Sequence, residues 1–269
     1  MKFTKMQGTG NDYVYINCFE ETVERPEELA VKVSDRHFGI GSDGLILICP
    51  SGQADCRMKM FNADGSESEM CGNGIRCVGK YVYDHHIVEK DEFDVETKAG
   101  IKHLKVTDEG GKAVLITVDM GIPEVTGEVP EPITIDGRSY EFIGISMGNP
   151  HAIYYMDEID GLDLEAMGPA FETHERFPER TNSEFIQVID RSHLRMRVWE
   201  RGSGETWACG TGATASAVAS VLSGRTENTV ELELKGGILS ITWDRESGHV
   251  YMTGPAVEVF QGEFDPENL

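Results

Sequence analysis

Short runs of β-branched and aromatic residues, set off by turn residues, dominate the hydropathy pattern. DYVYIN (12–17), GLILIC (44–49), CRMKMFN (56–62), FDVET (93–97), IKHLKVT (101–107) and AVLITVDM (113–120) predict strands. HAIYYMD (151–157), EFIQVID (184–190), LRMRVWER (194–201), VELEL (230–234), ILSITW (238–243) and HVYMT (249–253) predict a second set. Four stretches break this pattern toward helix. PEELAVKVSD (26–35) carries proline at its start, and LDLEAMGPAFETH (162–174) follows an apolar-periodic course. In GIRCVGKYVYDHH (74–86), Ile75, Val78, Tyr81 and Val82 fall at helical spacing. GATASAVASVLSG (212–224) is apolar or small all round, as a buried helix is, and ends on a glycine suited to a C-cap.

The two sets are one pattern written twice. Cys71 and Cys209 stand 138 positions apart, and the same offset pairs Gly10-Asn11 with Gly148-Asn149, Met58 with Met196, Phe61 with Trp199 and Glu67 with Glu205. Gly72 and Gly74 fall on Gly210 and Gly212, and Asn62 falls opposite Glu200. A shared offset across separated blocks predicts two homologous halves, 1–118 plus 255–269 and 119–254. The expected fold class is α/β (α+β): two pseudo-symmetric halves, each a curled, mostly antiparallel sheet around a central helix.

Each central helix begins beside a cysteine, in EMCGNGIR (69–76) and WACGTGAT (207–214). The first N–H groups of a helix have no partner within it, so with the helix dipole they attract anions. Glycine there allows close approach to the backbone, and the same field favours a thiolate. Each Cys-Gly-x-Gly therefore suits a carboxylate on backbone donors with sulfur beside it. Two such sites facing each other suit inversion of a stereocentre, with a base on one face and an acid on the other. One cysteine is then thiolate while its partner is thiol. A cysteine before a glycine turn also serves plain packing; the matched pair favours chemistry over packing.

Composition narrows the partners. The 269 residues carry 47 acidic and 24 basic side chains, net charge −23, which opposes docking on nucleic acid or an anionic membrane. The start of the chain has no apolar leader, and LILIC and ASAVASVL are far short of a membrane span, so a cytoplasmic protein is expected. None of the six cysteines, Cys18, Cys49, Cys56, Cys71, Cys77 and Cys209, forms a C-x-x-C or a zinc-type cluster, and no metal site is expected.

The chain closely resembles the diaminopimelate epimerase family. The resemblance spans essentially the whole sequence and rests on MKFTKMQGTGNDYV, GIGSDGLILI, FNADGSESEMCGNGIRC, MGNPHAIYY, HERFPERTNSEFIQV, ERGSGETWACGTGATA and YMTGPA. It implies a cofactor-independent interconversion of LL- and meso-diaminopimelate, a step toward lysine and cell-wall precursors, by two α/β halves that close over substrate. It implies Cys71 and Cys209 as the acid/base pair, and Gly72-Asn73 and Gly210-Thr211 as the helix starts that hold the reacting carboxylate. Asn11, Asn62, Asn149, Asn182, Glu200 and Arg201 match positions that fix the substrate, and His151 and Glu200 match positions that tune the cysteines. Chemically, Arg201 suits a distal carboxylate and Glu200 an ammonium, while asparagine donates and accepts. Read alone, Asn11 is equally a turn residue, Asn149 an extended residue before Pro150, Glu200-Arg201 a surface ion pair and His151 a structural histidine. One position departs: some members carry glutamine where this chain has Gly44, so a contact there falls to backbone, Ser42 or Asp43.

Three other readings remain open on the sequence. A proline- or histidine-type racemase also uses paired cysteines. Gly210–Ala215 matches G-x-G-x-x-A, but GSGETWAC intervenes after the preceding strand, which weakens a dinucleotide site. A redox-sensing dithiol built on Cys71 and Cys209 is the third. The apolar C-terminal stretch AVEVFQGEF (256–264) predicts an edge strand able to pair between chains, hence a homodimer.

Overall fold

The computed structural model describes residues 1–268; Leu269, where the expected first half ends, lies outside the described residues. The chain divides into two compact units. One holds Met1–Val118 and the segment from Gly254 onward, the other Asp119–Thr253.

In the first unit the strands are β1 (Lys2–Gly8), β2 (Asn11–Asn17), β3 (Gly44–Cys49), β4 (Cys56–Asn62), the short β5 (Glu67–Ser68), β6 (Glu92–Thr97), β7 (Gly100–Glu109) and β8 (Lys112–Gly121). Helix α1 (Pro26–Ser34) lies between β2 and β3, and α2 (Gly72–Asp84) between β5 and β6. Pairing runs β1–β2–β3–β4–β6–β7–β8, antiparallel except for β2–β3 and β4–β6. Those two parallel pairs need crossovers, and the two helices supply them.

The helices take opposite faces. Leu29, Ala30 and Val33 of α1 pack on Val14, Ile16, Leu45 and Leu47. The intervening residues face α2: the Tyr15 hydroxyl donates to the Gly74 carbonyl at 3.3 Å, and Ile46 lies under Gly74. Strand alternation thus sorts β2 and β3 into two cores. α2 packs on β1 and β2 and also on β7, so the row of strands curls around it.

The second unit repeats this order. After β9 (Glu124–Val125) and β10 (Glu131–Ile135) come β11 (Arg138–Ser146), β12 (Pro150–Tyr155), α3 (Leu164–Glu172), β13 (Asn182–Val188) and β14 (His193–Glu200). β15 (Gly204–Thr206), α4 (Gly210–Leu222), β16 (Thr229–Leu234), β17 (Gly237–Trp243) and β18 (Val250–Gly254) follow. Strands β1 to β8 recur in order as β11 to β18, and α1 and α2 recur as α3 and α4. The parallel pairs recur too, at β12–β13 and β14–β16. α4 packs on β11, β12, β13, β16 and β17, and is buried along almost its whole length. It ends with Ser223 as C-cap and Gly224 at φ 70°, the left-handed residue that closes a helix. The second core gathers Phe142, Tyr154, Phe171, Phe185 and Trp199.

The last strand, β19 (Val257–Glu263), returns to the first unit and pairs antiparallel with β1. Its Val257, Val259 and Phe260 side chains are exposed. Among the described residues, no helix is long and apolar enough to cross a membrane.

Candidate active site

Each unit places one of the expected cysteines at the start of its inner helix. In the first, Cys71 is the N-cap of α2, with extended backbone at φ −128°, and its Sγ accepts the Gly74 N–H at 3.3 Å. Gly74 packs closely on β3: a Cβ there would stand 2.7 Å from Ile46 Cδ1, so that side chain would have to shift. The Cys71 thiol also donates to Asn11 Oδ1 at 3.2 Å. Asn11 is anchored in turn, its Nδ2 donating to Asp43 Oδ2 at 2.7 Å. Asp43 further accepts the Asp12 N–H and an Arg36 guanidinium N–H, at 3.1 and 3.0 Å. The contact expected from the Gly44 region is therefore Asp43 acting on Asn11. Gly44 itself has no room for a side chain: a Cβ would fall 2.1 Å from the Phe61 carbonyl oxygen.

Asn73 is buried in the first turn of α2 and its Oδ1 accepts from the Thr9 hydroxyl at 3.3 Å. Beneath that turn lies Arg76, fully buried, whose guanidinium donates to the Gly72 carbonyl at 3.2 Å, Thr9 Oγ1 at 3.1 Å and the Pro255 carbonyl at 3.3 Å. Burial pulls its pKa down, and the neighbouring thiols Cys77 and Cys71 pull it up. Asn62, at the end of β4, is more open and donates to Ser66 Oγ at 3.0 Å.

The second unit places Cys209 as the N-cap of α4, at φ −120°, with Sγ accepting the Gly212 N–H at 3.4 Å. A chain of polar groups leads from it. Thr211 Oγ1 lies 3.5 Å from Sγ and accepts from Asn149 Nδ2 at 3.2 Å; Asn149 Oδ1 lies 3.1 Å from His151 Nε2. His151 Nδ1 meets Glu184 Oε1 at 2.7 Å, and both side chains are completely buried. Glu200 completes the cluster, accepting from the Thr206 hydroxyl. Burial, then Glu200 and Glu184, push the Cys209 thiol well above its ordinary pKa. Burial likewise raises the Glu200 carboxyl.

Asn182 sits on β13 with both ends of its amide used by backbone: Nδ2 donates to the Pro150 carbonyl at 2.9 Å, and Oδ1 accepts the Arg201 N–H at 3.0 Å. In this state it braces two site segments. The exposed Arg201 side chain reaches the Glu179 carbonyl at 3.3 Å.

The structure thus joins Asn11, Cys71, Gly72 and Asn73 in one half, and Asn149, His151, Glu200, Cys209, Gly210 and Thr211 in the other. Sequence reasoning missed Arg76 and Glu184. The signal for Glu184 was a carboxylate where a strand's buried face requires an apolar residue. His151, Glu184 and Cys209 present ligand-type atoms within 4.8 Å of one another, but the nearest two are spent on a hydrogen bond to each other. A cavity of about 770 Å³ in the second unit, lined by Pro130, Tyr140, Tyr154 and Arg225 among others, involves none of these residues.

Residues 3–126 and 143–259 match the family model for diaminopimelate epimerase. The chain is 59% identical to the diaminopimelate epimerase of Desulfovibrio desulfuricans, covering 98% of both chains. It is 53% identical to that of Methanococcus maripaludis, covering 98% of this chain and all of the relative. Among solved structures, a phenazine biosynthesis protein of Bacillus anthracis superposes with TM-score 0.75 at 18% identity, covering 98% of this chain and 99% of that one. A hydroxyproline epimerase of Agrobacterium vitis does so with TM-score 0.75 at 15% identity, covering 97% and 91%. At such identities these two share the fold.

Proposed function

Because this chain belongs to the diaminopimelate epimerase family, we propose that it interconverts LL- and meso-2,6-diaminopimelate, in the supply of lysine and peptidoglycan precursors. The observation that carries the reading is the doubled N-cap cysteine: Cys71 and Cys209 each cap an inner helix, with Sγ on the N–H of the glycine three residues on.

The reaction inverts one α-carbon. One cysteine, as thiolate, removes the α-proton, and the other, as thiol, delivers a proton to the opposite face. The α-proton of an amino acid is weakly acidic, so the charge that develops on the carboxylate must be met. The N–H groups at Gly72-Asn73 and Gly210-Thr211 suit that task, because helix-start donors are already oriented toward an anion. Asn11, Asn62, Asn149 and Asn182 fix the substrate, Arg201 takes its distal carboxylate and Glu200 its distal ammonium. His151 and Glu200 tune Cys209. The chemistry needs no cofactor and no metal. A cytoplasmic homodimer, paired through the exposed edge of β19, completes the proposal.

Chelated, dialysed and reduced protein should convert LL-diaminopimelate to a mixture with the meso isomer, resolved by chiral chromatography. No conversion there, with racemisation of proline or histidine instead, would move the substrate and keep the two thiols. No conversion of any amino acid would leave the dithiol reading in its place.

A further inference from the structure

The two half-sites share a backbone plan but surround their thiols with opposite charge. At the positions matched by the 138-residue offset, Ile46 lies under Gly74, whereas Glu184 lies under Gly212. Arg76 donates to the Gly72 carbonyl, whereas Thr214 donates to the matched Gly210 carbonyl, at 2.8 Å. Asn62 of the first unit is matched by Glu200. The first helix start therefore has a buried guanidinium beside it, and the second has the buried Glu184 and the part-buried Glu200.

The buried carboxylate of Glu184 needs a reason. It is fully excluded from solvent on β13, between Ser183 and Phe185, which are also fully buried. Its Oε1 is held by His151, while Oε2 has no hydrogen-bond partner among the described residues. A carboxylate only accepts, so the ring keeps its Nδ1 proton toward Glu184 and turns Nε2 to Asn149. The charge left on Oε2 is poorly screened and bears on the neighbouring sulfur.

Resting on the two-thiol reading above, we propose that Glu184 is a positioning residue that makes the matched cysteines unequal: it orients His151 and keeps Cys209 the proton-donating thiol. Cys209 then returns a proton, and Cys71, whose thiol donates to Asn11 Oδ1 in the free protein, must release that proton before it acts as the base. After each turnover the proton inventory is reversed, and the enzyme resets by exchanging protons with solvent or by turning over the opposite epimer.

The titratable groups facing Cys209 are Glu200 from β14, Glu184 from β13 and His151 from β12. Those facing Cys71 are Arg76 and Cys77 from α2 and Tyr15 from β2. Cys77 is pushed up to about 11 and Tyr15 is raised further, both by burial first, so both stay neutral near pH 7.

The test is the pH dependence of iodoacetamide labelling at each cysteine, read peptide by peptide by mass spectrometry. The midpoint of such a curve reports thiolate formation independently of access to the sulfur. In the unaltered protein the Cys71 midpoint should lie at least about one pH unit below that of Cys209. Glu184→Gln, close in shape, and Glu184→Ile, the residue of the matched position, should lower the Cys209 midpoint and leave that of Cys71 in place. Glu184→Gln should also reduce kcat roughly tenfold with KM unchanged. A Cys209 midpoint at or below that of Cys71, or one that both variants leave unmoved although they fold, would overturn the proposal. Labelling needs no turnover, so a protein inactive on diaminopimelate would refute the assigned reaction while the curves still judged Glu184.

Discussion

Gly212 and Glu184 are in contact across the second half-site: a Cβ on Gly212 would lie 2.5 Å from Glu184 Oε1 and 3.2 Å from Cys209 Sγ. The glycine leaves room for a buried carboxylate and a thiol to share one helix start. Gly212→Ala should therefore displace both. The expected outcome is a folded protein whose kcat falls at least roughly a hundredfold, since small misplacements of reacting groups are costly. A variant with ordinary kcat would show that this contact is slack.

Asp43 fixes Asn11 through a charge-assisted hydrogen bond. Such bonds contribute about 1.5–3 kcal/mol. Asp43→Ala should lower kcat/KM by roughly tenfold to a hundredfold, because a free Asn11 amide loses its orientation. Steady-state kinetics on diaminopimelate checks this, with Asn11→Ala as the companion. If the two losses multiply in the double variant, the residues act separately and the account of Asp43 fails.

Gly44→Gln, which installs the residue some family members carry, should destabilise this chain without improving catalysis. The new Cβ meets the Phe61 carbonyl oxygen and the Tyr13 ring. Overpacking of this kind costs about 1–3 kcal/mol, read as a lower thermal midpoint. Unchanged stability with a lower KM would mean that the β3–β4 pairing yields easily at Gly44.

Replacing either capping cysteine should stop epimerisation. Cys71→Ala and Cys209→Ala each remove one of the two proton carriers, so each should fall to background in an isomer assay. The corresponding serine variants should retain at most a one-sided proton removal. Full epimerisation by either alanine variant would contradict the two-thiol account.

Outside the site, Cys49 should be the most readily alkylated cysteine near pH 7.5. A hydrogen bond from Cys18, with help from Lys59 and Arg57, lowers its thiol to about 7. Burial first holds Cys56 at about 12 and Cys77 at about 11. Only the thiolate reacts, so brief iodoacetamide treatment should mark Cys49 well before Cys56 or Cys77. Equal labelling of all three would refute the assignment.

The sequence and the structure agree where local pattern and burial coincide. Of the two inner helices, α4 was legible because small and apolar residues fill its whole circumference and α2 because its apolar residues recur at helical spacing, and their starts because a cysteine and glycines mark the caps. β1, β10 and β11 were not predicted, since MKFTKMQG and the run from Glu131 to Ser146 mix charged, proline and glycine residues that only pairing with neighbours makes regular. Helix α3 begins at Leu164, two residues after the predicted start, because the Asp163 side chain caps it by accepting the Ala166 N–H. In the site, repetition exposed the residues that recur. Glu184 and Arg76 escaped because each breaks the repeat, standing opposite Ile46 and Thr214, rather than recurring in it.

Proton traffic during turnover tests the two-thiol account most directly. LL-diaminopimelate should be incubated with the reduced protein in D₂O, without added cofactor, and the α-protons followed by NMR from the first few per cent of conversion. The account predicts that early meso product carries deuterium at the inverted carbon while the remaining LL isomer keeps its protons, because one face loses hydrogen and the other gains it from a separate carrier. Early meso product that retains the substrate's own proton, or exchange into LL without inversion, would mean that a single base serves both faces.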